Sequence, residues 1–166
     1  MTAVIPTLTT KRLNLRPMRL EDWPDFAGCL CSDRAIWMGG PYDTHGAWGM
    51  FCADQAQWAF FGCGALMIEQ AQTGTCIGQI GINFGPLFPE YELGWLLYDG
   101  HERQGYAHEA AHAMRDWARD QRGLPALVSY IAPENARPIA LAKRLGALLD
   151  PDAPCNDPAD LVFRHY

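Results

Sequence analysis

The residue pattern predicts an α+β domain, mixed α/β in its layering, around one sheet. Three observations carry this expectation. Between Ala65 and Tyr98 three strand-like runs follow one another, ALMIEQ, TCIGQIGINF and YELGWLLY, and such a succession makes an antiparallel meander. Helical spacing of apolar residues lies on both sides of that meander. Two further short apolar runs, ALVSYI at 126–131 and DLVFRHY at the end, supply the remaining strands. With 166 residues, 49% of them hydrophobic, residues 1–166 are expected to form a single domain that buries roughly two thirds of its unfolded surface.

In chain order, Lys11 to Met18 alternates, with Leu13 and Leu15 on one side and Arg12, Asn14 and Arg16 on the other, the period of a half-buried strand. Asp22 is placed to cap the helix that follows, with Pro24 in its first turn and Trp23, Phe26, Ala27 and Leu30 as its apolar stripe. Ile36 to Thr44 contains Gly39-Gly40-Pro41 and reads as a loop carrying aromatic side chains. Ala47 to Phe61 places Trp48, Phe51, Cys52, Gln55 and Trp58 at three- and four-residue steps, a second helix that ends before Gly62. Gln72-Thr73-Gly74 turns the first meander strand into the second, and GPLFPE reads as a long connection into the third. Pro133-Glu134-Asn135 forms a turn before a helix over Pro138 to Leu145, which Gly146 stops.

Charge narrows the function. Thirteen Lys and Arg face nineteen Asp and Glu, a formal net charge of -6, so a phosphate-backbone footprint would work against the overall field and nucleic acid is not expected as a partner. A cationic substrate such as an amine suits the field better. The six cysteines have no C-x-x-C pairing, and the opening MTAVIPTLTTKR lacks the order of a signal peptide. Reduced, mostly buried thiols and a cytoplasmic location are therefore expected. No apolar run approaches the roughly 20 residues of a membrane helix, so no membrane partner is expected and the protein should be soluble.

The chemistry concentrates in YELGWLLYDGHERQGYAHEAAHA. An apolar strand ends in a polar hinge, Asp99 to Gln104, and Gly105 then opens an alanine-rich helix. Backbone N–H groups converge at such a junction with the helix dipole behind them, which makes an anion site. The same helix spells His108-Glu109-Ala110-Ala111-His112, the H-E-x-x-H pattern of zinc peptidases. Against that reading, Gly105 leaves His108 in the first helical turn, and the metzincin glycine and third histidine would fall on Arg115 and Ala118. No metal is expected.

Taken together, LNLRPMRLEDWPDF, CIGQIGINF, YELGWLL, RQGYAHEA, PENARPIALAKRLGA and DLVFRHY resemble the GNAT superfamily of acyl-CoA-dependent N-acetyltransferases, and within it the ribosomal-protein-acetylating branch. The resemblance covers nearly the whole chain except Trp37 to Trp58. It implies a central, mostly antiparallel sheet of about six or seven strands, flanked by about four helices, with the family's fourth and fifth strands splayed at Glu92–Leu97 and Leu127–Ile131. The pantetheine arm of acetyl-CoA would lie between them as an added strand. It also implies a pyrophosphate loop at Arg103, Gln104, Gly105, Tyr106 and Ala107, with Glu102 standing where the family has Gln or Arg. Trp95, Leu96 and Leu97 would border the thioester, and Asn135 would contact the coenzyme.

The resemblance further implies direct attack of a primary amine on the thioester. Glu92 is the expected general base, acting directly or through water, and Glu90 is the second candidate. Ala142 stands where many members carry a tyrosine acid. Trp37, Tyr42 and Phe84 would border the acceptor, which is a protein N-terminus or a small-molecule amine. The remaining alternatives are a zinc peptidase acting through HEAAH and an acyl-CoA-binding module without catalysis. A monomer or homodimer is expected.

Overall fold

The computed structural model describes residues 4–166. Among these described residues eight strands form one sheet: β1 (Leu8–Thr9), β2 (Leu13–Arg16), β3 (Ala65–Gln70), β4 (Cys76–Gly85), β5 (Phe88–Leu97), β6 (Val128–Ile131), β7 (Leu148–Leu149) and β8 (Leu161–Arg164). Four α-helices accompany them: α1 (Trp23–Leu30), α2 (Thr44–Phe61), α3 (Tyr106–Asp120) and α4 (Ala136–Arg144). In space the strands run β1, β2, β3, β4, β5, β6, β8, β7. Two strands of this sheet, β1 and β7, are only two residues long, too short to show a period in the sequence, which is why the expected six or seven strands become eight.

Side-chain alternation decides what each face of the sheet packs against. Leu66, Ile68, Ile80, Ile82 and Leu93 share a core with Ala110, Ala111, Met114 and Ala118 of α3. The opposite face turns Ala65 and Met67 toward Phe26 and Leu30 of α1 and Phe51 of α2. Every strand pairing is antiparallel except that of β5 with β6, which is parallel and amounts to one residue pair, Glu92 with Val128. Beyond that pair the two strands part. Ser129 Oγ still donates to the Leu93 carbonyl across the parting at 2.7 Å, and the cleft that opens past this strut is what the fold supplies to the site.

Local structure departs from the sequence expectations at several places. Ile36 to Thr44 is not all loop, because a 3-10 turn spans Asp33–Met38, capped by Ser32 and ended by Gly39 at φ 85°. α2 starts at Thr44 rather than Ala47, since Asp43 accepts a cap bond from the Gly46 N–H at 2.7 Å. GPLFPE is a tight connection, with Gly85 paired directly to Phe88. Asp22 does not cap α1: its carboxylate accepts from Arg16 Nη1 and Nη2 at 2.9 and 2.8 Å and from the Arg19 N–H. Of the six free cysteines only Cys29 and Cys63 are buried, while Cys31 and Cys52 are exposed, so the expectation of mostly buried thiols fails. Among the described residues no helix is long and apolar enough to cross a membrane.

Candidate active site

A cavity of about 400 Å³ begins in the cleft between β5 and β6 and runs under α2 to the 3-10 turn. The middle of its floor has almost no side chains. Ala65, Gly81 and Gly94 are register neighbours across β3, β4 and β5, and all three line the cavity. A Cβ on Gly94 would lie 3.2 Å from both carboxylate oxygens of Glu92, so the Glu92 side chain lies back over Gly94, and a larger residue there would push its carboxylate aside by a few tenths of an ångström. The Glu92-Leu93-Gly94 spelling is thus a steric arrangement.

Asn83 Nδ2 donates to Glu92 Oε2 at 2.7 Å from the adjacent strand. Burial pushes the Glu92 carboxyl up to about 7; the Asn83 bond opposes that rise and the nearby charge of Asp54 adds to it. Asp54, from α2, lines the same cavity and is likewise pushed up to about 7 by burial, with Gln79 opposing. Both residues keep some accessible surface because the cavity itself reaches them. Sequence reasoning passed over Asp54, although a signal existed. It sits three residues after Phe51 and four before Trp58, both buried, which is a core position of α2 where a carboxyl needs a reason.

The other expected site residues divide. Trp37 lines the cavity, as do Trp95, Leu96 and Asn135. Tyr42 and Phe84 do not. Tyr42 packs in the α1–α2 core and its hydroxyl donates to the Met38 carbonyl, bracing the 3-10 turn. Phe84 follows Asn83 on β4 and so turns to the other face, stacked on Tyr91 at 4.0 Å between ring centroids. Glu90 also lies outside the lining, held by Arg164 Nη1 and Nη2 at 2.9 Å each. Leu97 packs into the α3 core, while its carbonyl accepts from Arg34 Nη2 at 2.7 Å.

The loop before α3 is fastened on both flanks. On one, Arg34 binds Asp99, the Leu97 carbonyl and Glu102. Burial acts to raise the Glu102 pKa, but the hydrogen bond and charge of Arg34 outweigh it and hold the carboxyl below its ordinary range. Glu102 is therefore engaged by the 3-10 turn, and its charge is matched before any anion arrives. On the other flank, Arg12 donates to the Gln104 carbonyl at 2.9 Å, pairs with Glu109 at 2.7 Å and lies 4.5 Å over the Tyr106 ring.

Between these clamps Arg103 and Gly105 both adopt left-handed backbone, φ 61° and 82°, on either side of Gln104. Such alternation turns successive N–H groups to one side and makes a nest for an anion. Gly105 is also the N-cap position of α3, without a side-chain cap bond, so the first-turn N–H groups of the helix add to the nest. Asn135 holds the N-cap position of α4 without using its side chain as a cap. Ala142 is fully buried beside Ile131, Ala147 and Phe163 and presents no acid.

The HEAAH segment is scaffold in this arrangement. Glu109 accepts from Thr10 Oγ1 at 2.6 Å and from Arg12 N and Nε at 2.8 and 2.7 Å, which commits the glutamate of the motif to the β1–β2 hairpin. The His108 and His112 rings stand 6.2 Å apart, and His112 Nδ1 lies 3.2 Å from Asp116.

The model of the acetyltransferase (GNAT) domain matches residues 12–148. An acetyltransferase of solved structure from Agrobacterium tumefaciens strain C58 is 58% identical and superposes with a TM-score of 0.96, over 98% of this chain and 95% of that one. The uncharacterized protein YkkB of Bacillus subtilis (strain 168) is 27% identical over 143 residues, 84% of this chain and 83% of its own length. A spermidine N-acetyltransferase from Vibrio cholerae, solved with CoA and spermine, shares the fold at a TM-score of 0.71 and 18% identity, covering 93% and 94% of the two chains.

Proposed function

The chain belongs to the GNAT acetyltransferase family, and from that premise we propose that it transfers an acetyl group from acetyl-CoA to a primary amine, with Glu92 as general base. One observation carries the reading: Glu92 is a carboxyl with no cationic partner, pushed up to about 7, on the wall of the cavity that continues the β5–β6 cleft. A base poised near neutral pH is what deprotonation of an amine requires.

The residues present fit the coenzyme. The left-handed turns at Arg103 and Gly105 and the start of α3 suit a pyrophosphate, and the parted β5 and β6 leave unpaired backbone for an extended arm. Arg103 to Ala107, Asn135, Trp95 and Leu96 would hold it. Acetyl-CoA supplies the thioester carbonyl. Glu92 takes a proton from the acceptor ammonium, the freed nitrogen forms the C–N bond, and the C–S bond breaks. With Ala142 offering no acid, the thiolate takes a proton from water, which a thiol pKa near 8.5 allows.

The acceptor is a primary amine on a protein N-terminus, as the likeness to the ribosomal-protein-acetylating branch suggests, or on a small molecule, as in the spermidine enzyme. Glu92→Gln is expected to lower kcat about 10²- to 10⁴-fold while leaving the KM for acetyl-CoA unchanged, measured as free thiol release across a panel of amines. An unchanged kcat would overturn Glu92 as the base. Wild-type activity should fall as the pH drops below about 7, because the base form of Glu92 is then lost.

A further inference from the structure

Glu92 has a companion that deprotonation alone does not require. Asp54 reaches the cavity from α2, and no Lys, Arg or His occurs among the described residues that line it. Elsewhere most partly buried carboxylates are matched by arginines: Asp22 and Glu69 by Arg16, Glu90 and Asp150 by Arg164, Glu102 by Arg34, Glu109 by Arg12; Asp160, raised by burial and by the nearby charge of Asp157, is an exception outside the cavity. Among its described lining residues the cavity holds two carboxyls and no cation. An unmatched buried charge is costly, so a compensating cation is best supplied by what binds there.

Building on the amine-acetyltransferase reading, we propose that Asp54 is the receptor for the acceptor's positive charge, selecting aliphatic ammonium ions over neutral, weakly basic amines, while Glu92 takes the proton. The walls suit such a ligand. Trp37, which is 52% exposed, Met38, Met50 and Phe88 give an apolar and aromatic lining for the alkyl part, with an indole face for the cation. The placement of Asp54 between Phe51 and Trp58 on the inner stripe of α2 also fits a functional group, since an apolar residue there would serve packing better.

The protons balance. The ammonium loses one proton to Glu92 while Asp54 stays ionised; the nitrogen loses a second as the C–N bond forms, and that proton passes through water to the departing thiolate. Glu92 then releases its proton to solvent.

The groups facing this pair fix the expected pH response. β4 presents the neutral amides of Gln79 and Asn83, the 3-10 turn presents Trp37 and Met38, and β6 presents the Tyr130 phenol, whose pKa is raised chiefly by burial and which therefore stays neutral. Asp54 is the only charged neighbour in the lining, and its charge disfavours ionisation of Glu92. Asp54→Asn should therefore move the acidic limb of the rate profile to lower pH.

The test compares butylamine, cationic at neutral pH, with aniline, neutral there, as acceptors at saturating acetyl-CoA. Asp54→Asn is expected to lower kcat/KM for butylamine at least about tenfold more than for aniline, with the loss in KM, and to shift the acidic limb downward; Asp54→Glu should restore part of the butylamine preference. An unchanged butylamine-to-aniline ratio with an unmoved limb, while Glu92→Gln still lowers kcat as expected, would overturn the role of Asp54 alone. Equal loss of both substrates would overturn it in favour of a structural role. Failure of the wild-type enzyme to acetylate any amine would overturn both readings.

Discussion

Glu90 and Glu92 stand two residues apart on β5, yet they belong to different regions of the molecule. Glu90 faces the sheet margin, where Arg164 grips it with two bonds and also binds Asp150. Glu92 faces the cavity, where a neutral amide is its hydrogen-bond partner and Asp54 its charged neighbour. At the margin and around the loop before α3, arginines hold Glu102, Glu109 and Asp150 in the ionised form. Around the cavity, burial without a cation leaves Glu92 and Asp54 near the midpoint of their titration at neutral pH. The contrast teaches that burial carries a carboxyl toward neutral pH where no arginine opposes it, which separates a carboxylate that braces the fold from one that can exchange protons.

The sharpest way to break this comparison is at Gly94. A methyl group there would press on both oxygens of Glu92 from 3.2 Å, while the backbone at Gly94 is ordinary strand that alanine can adopt. Gly94→Ala should cost about 10²-fold in kcat, the scale of a small misplacement of a reacting group, with the melting temperature nearly unchanged. If kcat survives, the position of the Glu92 carboxylate is not what matters.

Arg34→Ala comes next. It removes the partner of Glu102, Asp99 and the Leu97 carbonyl together, so the KM for acetyl-CoA should rise about tenfold, as loss of a charge-assisted bond predicts, with kcat less affected. Titration calorimetry with CoA checks the binding part directly. An unchanged affinity would mean that the loop keeps its shape without this clamp.

A thermal-stability series separates the two regions by the sign of their pH response. Glu92 and Asp54 bind protons more tightly folded than unfolded, so they favour the folded state at low pH and lose that contribution as the pH rises from about 4 to about 7. The arginine-held carboxylates respond the opposite way, contributing above their ordinary pKa and losing that contribution as the pH falls. Asp54→Asn should therefore melt higher than wild type at pH 8, with the gain shrinking toward pH 5; a gain independent of pH would contradict the titration.

The smallest effect is expected from Glu90→Gln. Kinetics should match wild type, and stability should fall by only about 0.2–1 kcal/mol, because the Arg164 pair is partly open to solvent. A large loss of kcat would return Glu90 to the catalytic centre.

Much of this was readable before any coordinates. The alternation of β2 and the turn of strand into helix at Gly105 depend on neighbours within a few residues, where periodicity and turn chemistry act; the expectation for Glu92 rests instead on the resemblance of YELGWLL to the family's strand. What escaped depends on partners far along the chain. Glu102 looked out of place until Arg34, 68 residues earlier, was found beside it. Asp54 was hidden because helical spacing tells which face is inward, not what that face meets. Phe84 was expected at the acceptor, but as the neighbour of Asn83 on β4 it faces the opposite side of the sheet, a matter of register that composition does not carry.

The two arginine clamps on the loop before α3 come from the first third of the chain, Arg12 from the β1–β2 hairpin and Arg34 from the 3-10 turn, whereas the loop follows the meander. During synthesis the nest would emerge long after its clamps and could take its final form only once they had docked across separations of 92 and 68 residues. Coenzyme affinity is then a late reporter of folding: a refolding chain should regain strand content first and CoA binding last.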